Sequence, residues 1–280
     1  MKILTLIIVI TASIFAPNNY KIDEQNKLLF DFDNEKYDKE YFLLGMLDEY
    51  LGYSRTFTGS DYLNQKVDIT TTKLELKYLL FIDSLFNLEY SDITIVDNGS
   101  NIKICSPALS KRIDDFYIYK ESNWRTKEND TVYYGYLNNE KFETPKQKLS
   151  FLLGAYVRYG KNVDALSAMI SWFKKEDLLD KNKTFDNVSN AIEMGNSWVK
   201  LNFCSEILGD FYCKDIEIIS ISTFPTLNYV FFAPSDIIQE VISEAERLKR
   251  QIETINTNVN FTRDGSKFIW DGSREPPMRQ

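Results

Sequence analysis

The chain has no histidine. That absence removes the commonest general base, every imidazole-based triad and the most frequent transition-metal ligand. Cysteine is scarce as well: Cys105, Cys204 and Cys213 are the only three, too few for a disulfide-built scaffold, and no Cys-x-x-Cys or other metal-type spacing links them. With no thiol–imidazole pair, a cysteine nucleophile is disfavoured. Cys204 and Cys213 either form one bridge or remain buried free thiols. There is no P-loop, no Gly-x-Gly-x-x-Gly and no Gly-x-Ser-x-Gly, so neither a cofactor nor a catalytic residue is assigned.

Positive charge is also in short supply. Against 41 acidic residues stand 33 basic ones, a formal net charge of −8 and an isoelectric point near 4.9. That balance argues against nucleic acid as a partner and against adsorption on anionic membranes, since both need a basic surface. Two stretches have calcium-loop spacing, Asp31-x-Asp33-x-Glu35 and Asp180-x-Asn182-x-Thr184. Both lack the glycine at loop position six and the glutamate at twelve, so they read as polar loops and no metal ligand is assigned. Asp48 and Glu49 adjoin on one helix, and a solvated helix end accounts for them.

What is present begins with a leader. Met1-Lys2, an apolar run from Ile3 to Ile10 and small residues before Pro17 read as a secretory signal peptide over residues 1–16. The run is too short to span a bilayer, and no other segment looks like a transmembrane anchor. The expected location is therefore secreted or extracytoplasmic, periplasmic in a bacterium. Five Asn-x-Ser/Thr sites, at Asn98, Asn129, Asn182, Asn187 and Asn260, become candidate N-glycan positions in a eukaryotic secretory route.

Part of the chain occurs twice. Phe42-Leu43-Leu44-Gly45 returns as Phe151-Leu152-Leu153-Gly154, an offset of 109 (151 − 42). Phe81…Leu85…Tyr90 followed by Asp92-Ile93-Thr94-Ile95 returns as Phe203…Ile207…Tyr212 followed by Asp215-Ile216-Glu217-Ile218, an offset of 122 (203 − 81). The difference places extra residues in the second copy, around a helix expected over Val163–Leu179.

Periodicity fills in the elements. Helices are expected over Lys39–Gly52, Leu74–Leu88, Ser197–Leu208 and from Asp236 to about Ile252. Thr144-Pro145-Lys146-Gln147 has the form of a capping box with proline in the first turn. Two weak strands fall within Arg55–Thr71, and Ile93–Val96 with Ile102–Cys105 form a hairpin around Asn98-Gly99. Ala108–Lys120 reads as a helix, with Phe116–Tyr119 as an alternative strand. Further strands are expected at Thr131–Leu137, Ile216–Thr223 and Leu227–Phe232, and a small hairpin about Asp264-Gly265. Tyr133, Tyr134 and Tyr136 read as core strand, with an aromatic binding face for sugar or peptide as the alternative. The expected organisation is leader 1–16, polar segment 17–37, first unit 38–120, linker with a strand 121–143, second unit 144–255 with an inserted helix, and tail 256–280.

The order helix, two strands, helix, hairpin, helix, occurring twice with Leu-x-Gly on the first helix, resembles the LAGLIDADG homing endonucleases. The segments are Leu43-Leu44-Gly45-Met46-Leu47-Asp48-Glu49-Tyr50 and Leu152-Leu153-Gly154-Ala155-Tyr156-Val157-Arg158-Tyr159-Gly160. The resemblance implies two motif helices packed at a pseudo-two-fold, close at glycine, each ending in a carboxylate that holds a divalent metal. Those end positions fall here on Tyr50 and Tyr159, and neither is a carboxylate. Asp48 matches the motif's earlier acid, but its counterpart is Val157.

The sequence therefore predicts an α+β protein of duplicated helix-strand-strand-helix-hairpin-helix units about a pseudo-two-fold. It is read as an exported, non-enzymatic binding or interaction protein whose partner is an unidentified protein or extracellular ligand. Its candidate surface is the motif-helix seam at Asp48, Tyr50 and Tyr159. The alternatives are a LAGLIDADG-like DNA-binding protein that has lost its metal-binding acids, and a structural component of a cell surface or wall.

Overall fold

A computed structural model describes residues 32–33, 35–47, 54–56, 66–70, 73–86, 94–97, 101–105, 114–125, 129–182, 184–195, 198–221, 227–255, 261–264 and 267–270. The leader, Asp48, Tyr50, the turn at Asn98-Gly99 and the sites at Asn98 and Asn260 lie outside them.

The architecture is α+β. Six α-helices are present among the described residues: α1 (Lys39–Met46), α2 (Lys73–Phe86), α3 (Pro145–Tyr159), α4 (Val163–Lys175), α5 (Trp198–Asp210) and α6 (Asp236–Glu253). The strands are β1 (Ser54–Thr56), β2 (Lys66–Thr70), β3 (Thr94–Asp97), β4 (Asn101–Cys105), β5 (Tyr117–Arg125), β6 (Thr131–Leu137), β7 (Gly160–Asn162), β8 (Asn190–Gly195), β9 (Lys214–Ile221), β10 (Leu227–Ala233), β11 (Phe261–Asp264) and β12 (Lys267–Trp270). Every pairing among them is antiparallel, in sheets ordered β1-β6-β5, β2-β4-β3, β7-β8-β10-β9 and β11-β12.

Local chemistry sets the helix starts. The Asp38 carboxylate accepts from Glu40 N ahead of α1. Thr144 and Gln147 complete the reciprocal capping box of α3, with Pro145 at its first position. Asn162 caps α4 and Ser235 caps α6. In the two calcium-like stretches the acids close turns instead: Asp33 Oδ1 accepts from Glu35 N and Lys36 N, and Asp180 Oδ1 from Asn182 N.

The main core gathers Phe42, Leu43, Leu44 and Met46 of α1, Phe151–Val157 of α3, and the inward residues of α2, α5 and α6. On β8 and β10 it takes Ile192, Met194, Val230 and Phe232. A second core lies on the opposite face of the same sheet, where Ala191, Tyr229, Phe231 and Ile221 meet Leu166 and Phe173 of α4. The period-two alternation of strands separates the two sets. The sheet β7-β8-β10-β9 is thus the middle layer of three.

Three expectations are corrected. The segment read as a helix over Ala108–Lys120 is strand from Tyr117, in line with the alternative strand at Phe116–Tyr119, and β5 runs on to Arg125 through the stretch expected as linker. The inserted helix ends at Lys175, followed by a turn with Asp177 at φ 55°. Strand β8 was not anticipated. Cys204 and Cys213 are both free thiols.

Candidate functional site

The two helices that carry Phe-Leu-Leu-Gly cross in direct backbone contact. A Cβ placed on Gly45 would lie 2.0 Å from Phe151 O, and one on Gly154 would lie 2.0 Å from Phe42 O. The relation is reciprocal: each glycine admits the carbonyl of the other helix's phenylalanine. Only glycine leaves that space free. The helices run in the same sense, since Asp38 N donates to Ser150 Oγ (2.7 Å) near their starts and Arg158 Nη1 to Met46 O (2.8 Å) near their ends.

Matching contacts flank the crossing. Phe42 meets Phe81 of α2 edge-on, with ring centroids 5.9 Å apart, and Phe151 meets Phe203 of α5 in the same way at 5.1 Å. Tyr78 of α2 donates its hydroxyl to Val157 O near the end of α3 (3.2 Å). Lys200 of α5 donates its ammonium to Leu47 O at the end of α1. Tyr78 and Lys200 stand at the same 122-residue offset (200 − 78) as Phe81 and Phe203.

The ends of both motif helices are held by cations. The Arg158 guanidinium reaches Met46 O, and Lys200 reaches Leu47 O. Lys249 of α6 donates to Gly160 O (2.9 Å) at the end of α3 and pairs with Glu246 (2.8 Å). Helix C-termini carry partial negative charge and unpaired carbonyls, so cations are favoured there. Lys200 is buried, with Nζ 5.3 Å from the Tyr159 ring centroid and 5.7 Å from that of Phe151. Burial lowers the Lys249 pKa, opposed by its bond to Glu246. Cys204, fully enclosed one turn beyond Lys200, has its thiol pushed up to about 12 by desolvation, with Lys200 pulling the other way.

Of the sequence-predicted seam residues, Tyr159 is in place. Its ring lies 5.0 Å from the Arg158 guanidinium carbon, and its hydroxyl donates to Met46 O at 3.4 Å. The metal that the LAGLIDADG resemblance implies finds no fit among the described residues of the seam: a phenol, a guanidinium and an ammonium stand where carboxylate oxygen would be needed, and two fixed positive charges repel a divalent ion. Arg158 and Lys200 were missed by sequence reasoning. The 122-residue offset aligns Lys200 with a helix position facing the seam, and that was the available signal.

The sheet face turned away from the seam is closed. Alpha-helix α4 lies across it, Tyr229 Oη contacts Met169 Sδ at 3.4 Å, and Phe173 meets Tyr229. The acids on this face include Glu193, opposite Tyr229 in the register, and Glu217, opposite Phe231. Desolvation raises the Glu193 pKa, with Lys161 acting against it, and the burial and carboxylate together raise that of Tyr229. Reading a DNA groove with a sheet needs an open polar face with basic contacts to phosphate. This face is apolar, covered and acidic. Among the described residues no helix is long and apolar enough to cross a membrane. No protein-family model matches the chain, and no curated protein matches it significantly in sequence.

Proposed function

We propose that this chain is an exported, non-enzymatic binding protein built from two copies of one α+β unit, on a scaffold of LAGLIDADG type whose metal chemistry has been replaced by its own cations. The observation that carries this reading is the pair of bonds from Arg158 and Lys200 to the last carbonyls of α1, at the end of the seam where the resemblance calls for carboxylates and a divalent ion.

Three further observations support the duplication. The glycine contacts are reciprocal. The phenylalanine pairs Phe42–Phe81 and Phe151–Phe203 correspond under the two offsets. The strand order β2-β4-β3 is repeated by β8-β10-β9, each with a helix between its first and second strands in sequence. The first copy departs from the second at β1, which pairs with β6 rather than with β2.

Against the DNA-binding alternative stand the covered face of β7-β8-β10-β9 and the net charge of −8. Calorimetry with Mg²⁺ and Ca²⁺, together with a gel shift on duplex DNA at low salt, tests the reading. Neither should bind. Tight binding of a divalent ion would restore an enzymatic reading, and tight binding of DNA would restore the nuclease-derived one. Export is tested separately by locating a tagged full-length chain: retention in the cytoplasm with Met1 intact removes that part.

A further inference from the structure

The outward face of the hairpin β5–β6 departs from the rest of the described surface. Ile118 pairs across the strands with Tyr136, and Lys120 with Tyr134, so all four side chains share one face. The opposite face is the packed one, since Tyr117 and Leu137 join the main core. Ile118 is 49% exposed and Tyr136 38%. Ile118 and Tyr136, two of the eight large hydrophobic side chains exposed among the described residues, are thus direct cross-strand partners, with Tyr134 beside them. Isolated exposed apolar residues are ordinary, but a contiguous aromatic patch marks an interaction surface.

Its charge narrows the occupant. Lys120 lies in the patch with Nζ 5.3 Å from the Tyr136 ring centroid, and it takes part in none of the ion pairs formed among the described residues. A second copy of the chain is a poor fit. A two-fold contact on this patch places Lys120 against Lys120, and each copy brings a net charge of −8. A rod of phosphates fits no better, because one lysine among apolar side chains is not a basic stripe. An apolar segment with a carboxylate meets both requirements: it covers the aromatic face and pairs the lysine. Among the described residues strand β5 is also the edge of its sheet, ordered β1-β6-β5, which favours an extended partner.

We propose that this face docks an extended peptide segment of a partner protein, apolar or aromatic in its contacts and carrying a carboxylate against Lys120. The proposal rests on the reading of the chain as a binding protein and names the surface and the partner's chemistry.

A random-peptide phage library selected on the full chain, followed by fluorescence anisotropy with the enriched peptides, tests it. The enriched peptides should combine aromatic or branched apolar residues with Asp or Glu. Their affinity should fall ~10-fold or more on Lys120→Glu and on the Ile118→Ser/Tyr136→Ser pair. It should be unchanged on Trp172→Ser, a surface control on α4. Circular dichroism of each variant separates lost binding from lost folding, and the milder Lys120→Gln gives a second reading of the charge. Enrichment of basic peptides overturns the proposal, as does a selection with no saturable binder. So does dimerisation in sedimentation that Tyr136→Ser abolishes. Peptides that bind equally well to all patch variants remove this surface but leave a binding protein. Tight DNA or divalent-ion binding, by contrast, removes the functional reading itself.

Discussion

Gly154→Ala probes the helix crossing directly. The added methyl carbon would stand 2.0 Å from Phe42 O, 2.9 Å from Phe42 C and 3.0 Å from Met46 N, all backbone atoms that no rotamer change can move. Carbon contacts are comfortable near ~3.5 Å, so α1 and α3 must part by roughly 1.5 Å. A gap of that size also forfeits much of the dispersion between the buried side chains around the crossing. Overpacking costs about 3 kcal/mol at the upper end of its usual range. Alanine's better helix propensity offsets about 1 kcal/mol of this. The net loss is ~2 kcal/mol, which at an m-value of ~2 kcal/mol/M lowers the urea midpoint by ~1 M. Gly45→Ala should behave alike, and the double variant should lose less than the two single losses combined, because the first separation makes room for the second methyl. Gly209→Ala is the control: nothing lies within 4 Å of its added Cβ, and it should be neutral or stabilising by up to ~1 kcal/mol. The assay is urea unfolding followed by circular dichroism and tryptophan fluorescence with coincident transitions. A neutral or stabilised Gly154→Ala would refute the crossing.

Lys200→Ala removes a charge-assisted hydrogen bond and two ring contacts, and should lower stability by about 2–4 kcal/mol in the same assay. Lys200→Met, which keeps the apolar stem, should lose ~1 kcal/mol less. Glu193 gives a pH test. Its folded pKa is raised by burial, so the folded state holds the proton over a range where the unfolded chain releases it. Stability therefore falls as pH rises from the ordinary glutamate value (~4.3) to the folded pKa. Glu193→Gln should be more stable than the parent at pH 7, with the gain gone near pH 4; an equal gain at both pH values contradicts the assignment. In a Cys105→Ser/Cys213→Ser background, Cys204 should react with a disulfide reagent only at the rate of unfolding. Thermal unfolding should be the same with chelator, Mg²⁺ or Ca²⁺; a metal-held seam would instead gain about 2.7 kcal/mol at a hundredfold excess over its dissociation constant.

Local signals were legible. Thr144-Pro145-Lys146-Gln147 announced the start of α3 because both partners of its capping box lie within four residues. The β3–β4 hairpin, the α2 and α5 helices and the amphipathic α6 followed from periodicity in the same way. Strand β8 did not, because it is covered on both faces: Ile192 and Met194 enter one core and Ala191 the other, which erases the alternation that marks a half-buried strand. Strand β5 was half legible: Phe116–Tyr119 stood as an alternative strand, but Lys120–Arg125 is mostly polar and exposed and carries no strand pattern. Tyr136, expected in the core, faces outward because the core takes Tyr117, Gly135 and Leu137 from the other side of the hairpin. The seam was half legible. The paired glycines pointed to a close approach, but a lysine is ordinarily assigned to the surface, and nothing local says that Lys200 meets a carbonyl 153 positions away.

Tethered cations and a bound metal would let the seam do different things. Two helices converging at their C-termini bring two partial negative charges together, and that end needs positive charge whatever its function. A divalent ion supplies it with coordination sites left open for a reacting water. Here Arg158, Lys200 and Lys249 each bond a carbonyl there, and Lys249 also pairs with Glu246. Such cations also bring their own attachment to the chain, so they hold the crossing at any ion concentration. They have no site to exchange a water and no strong Lewis acidity to lend. Cations tethered in this way hold the crossing permanently, and α4 closes the neighbouring sheet face with an apolar layer. The hairpin β5–β6 lies outside both, and its Ile118 and Tyr136 face away from the core.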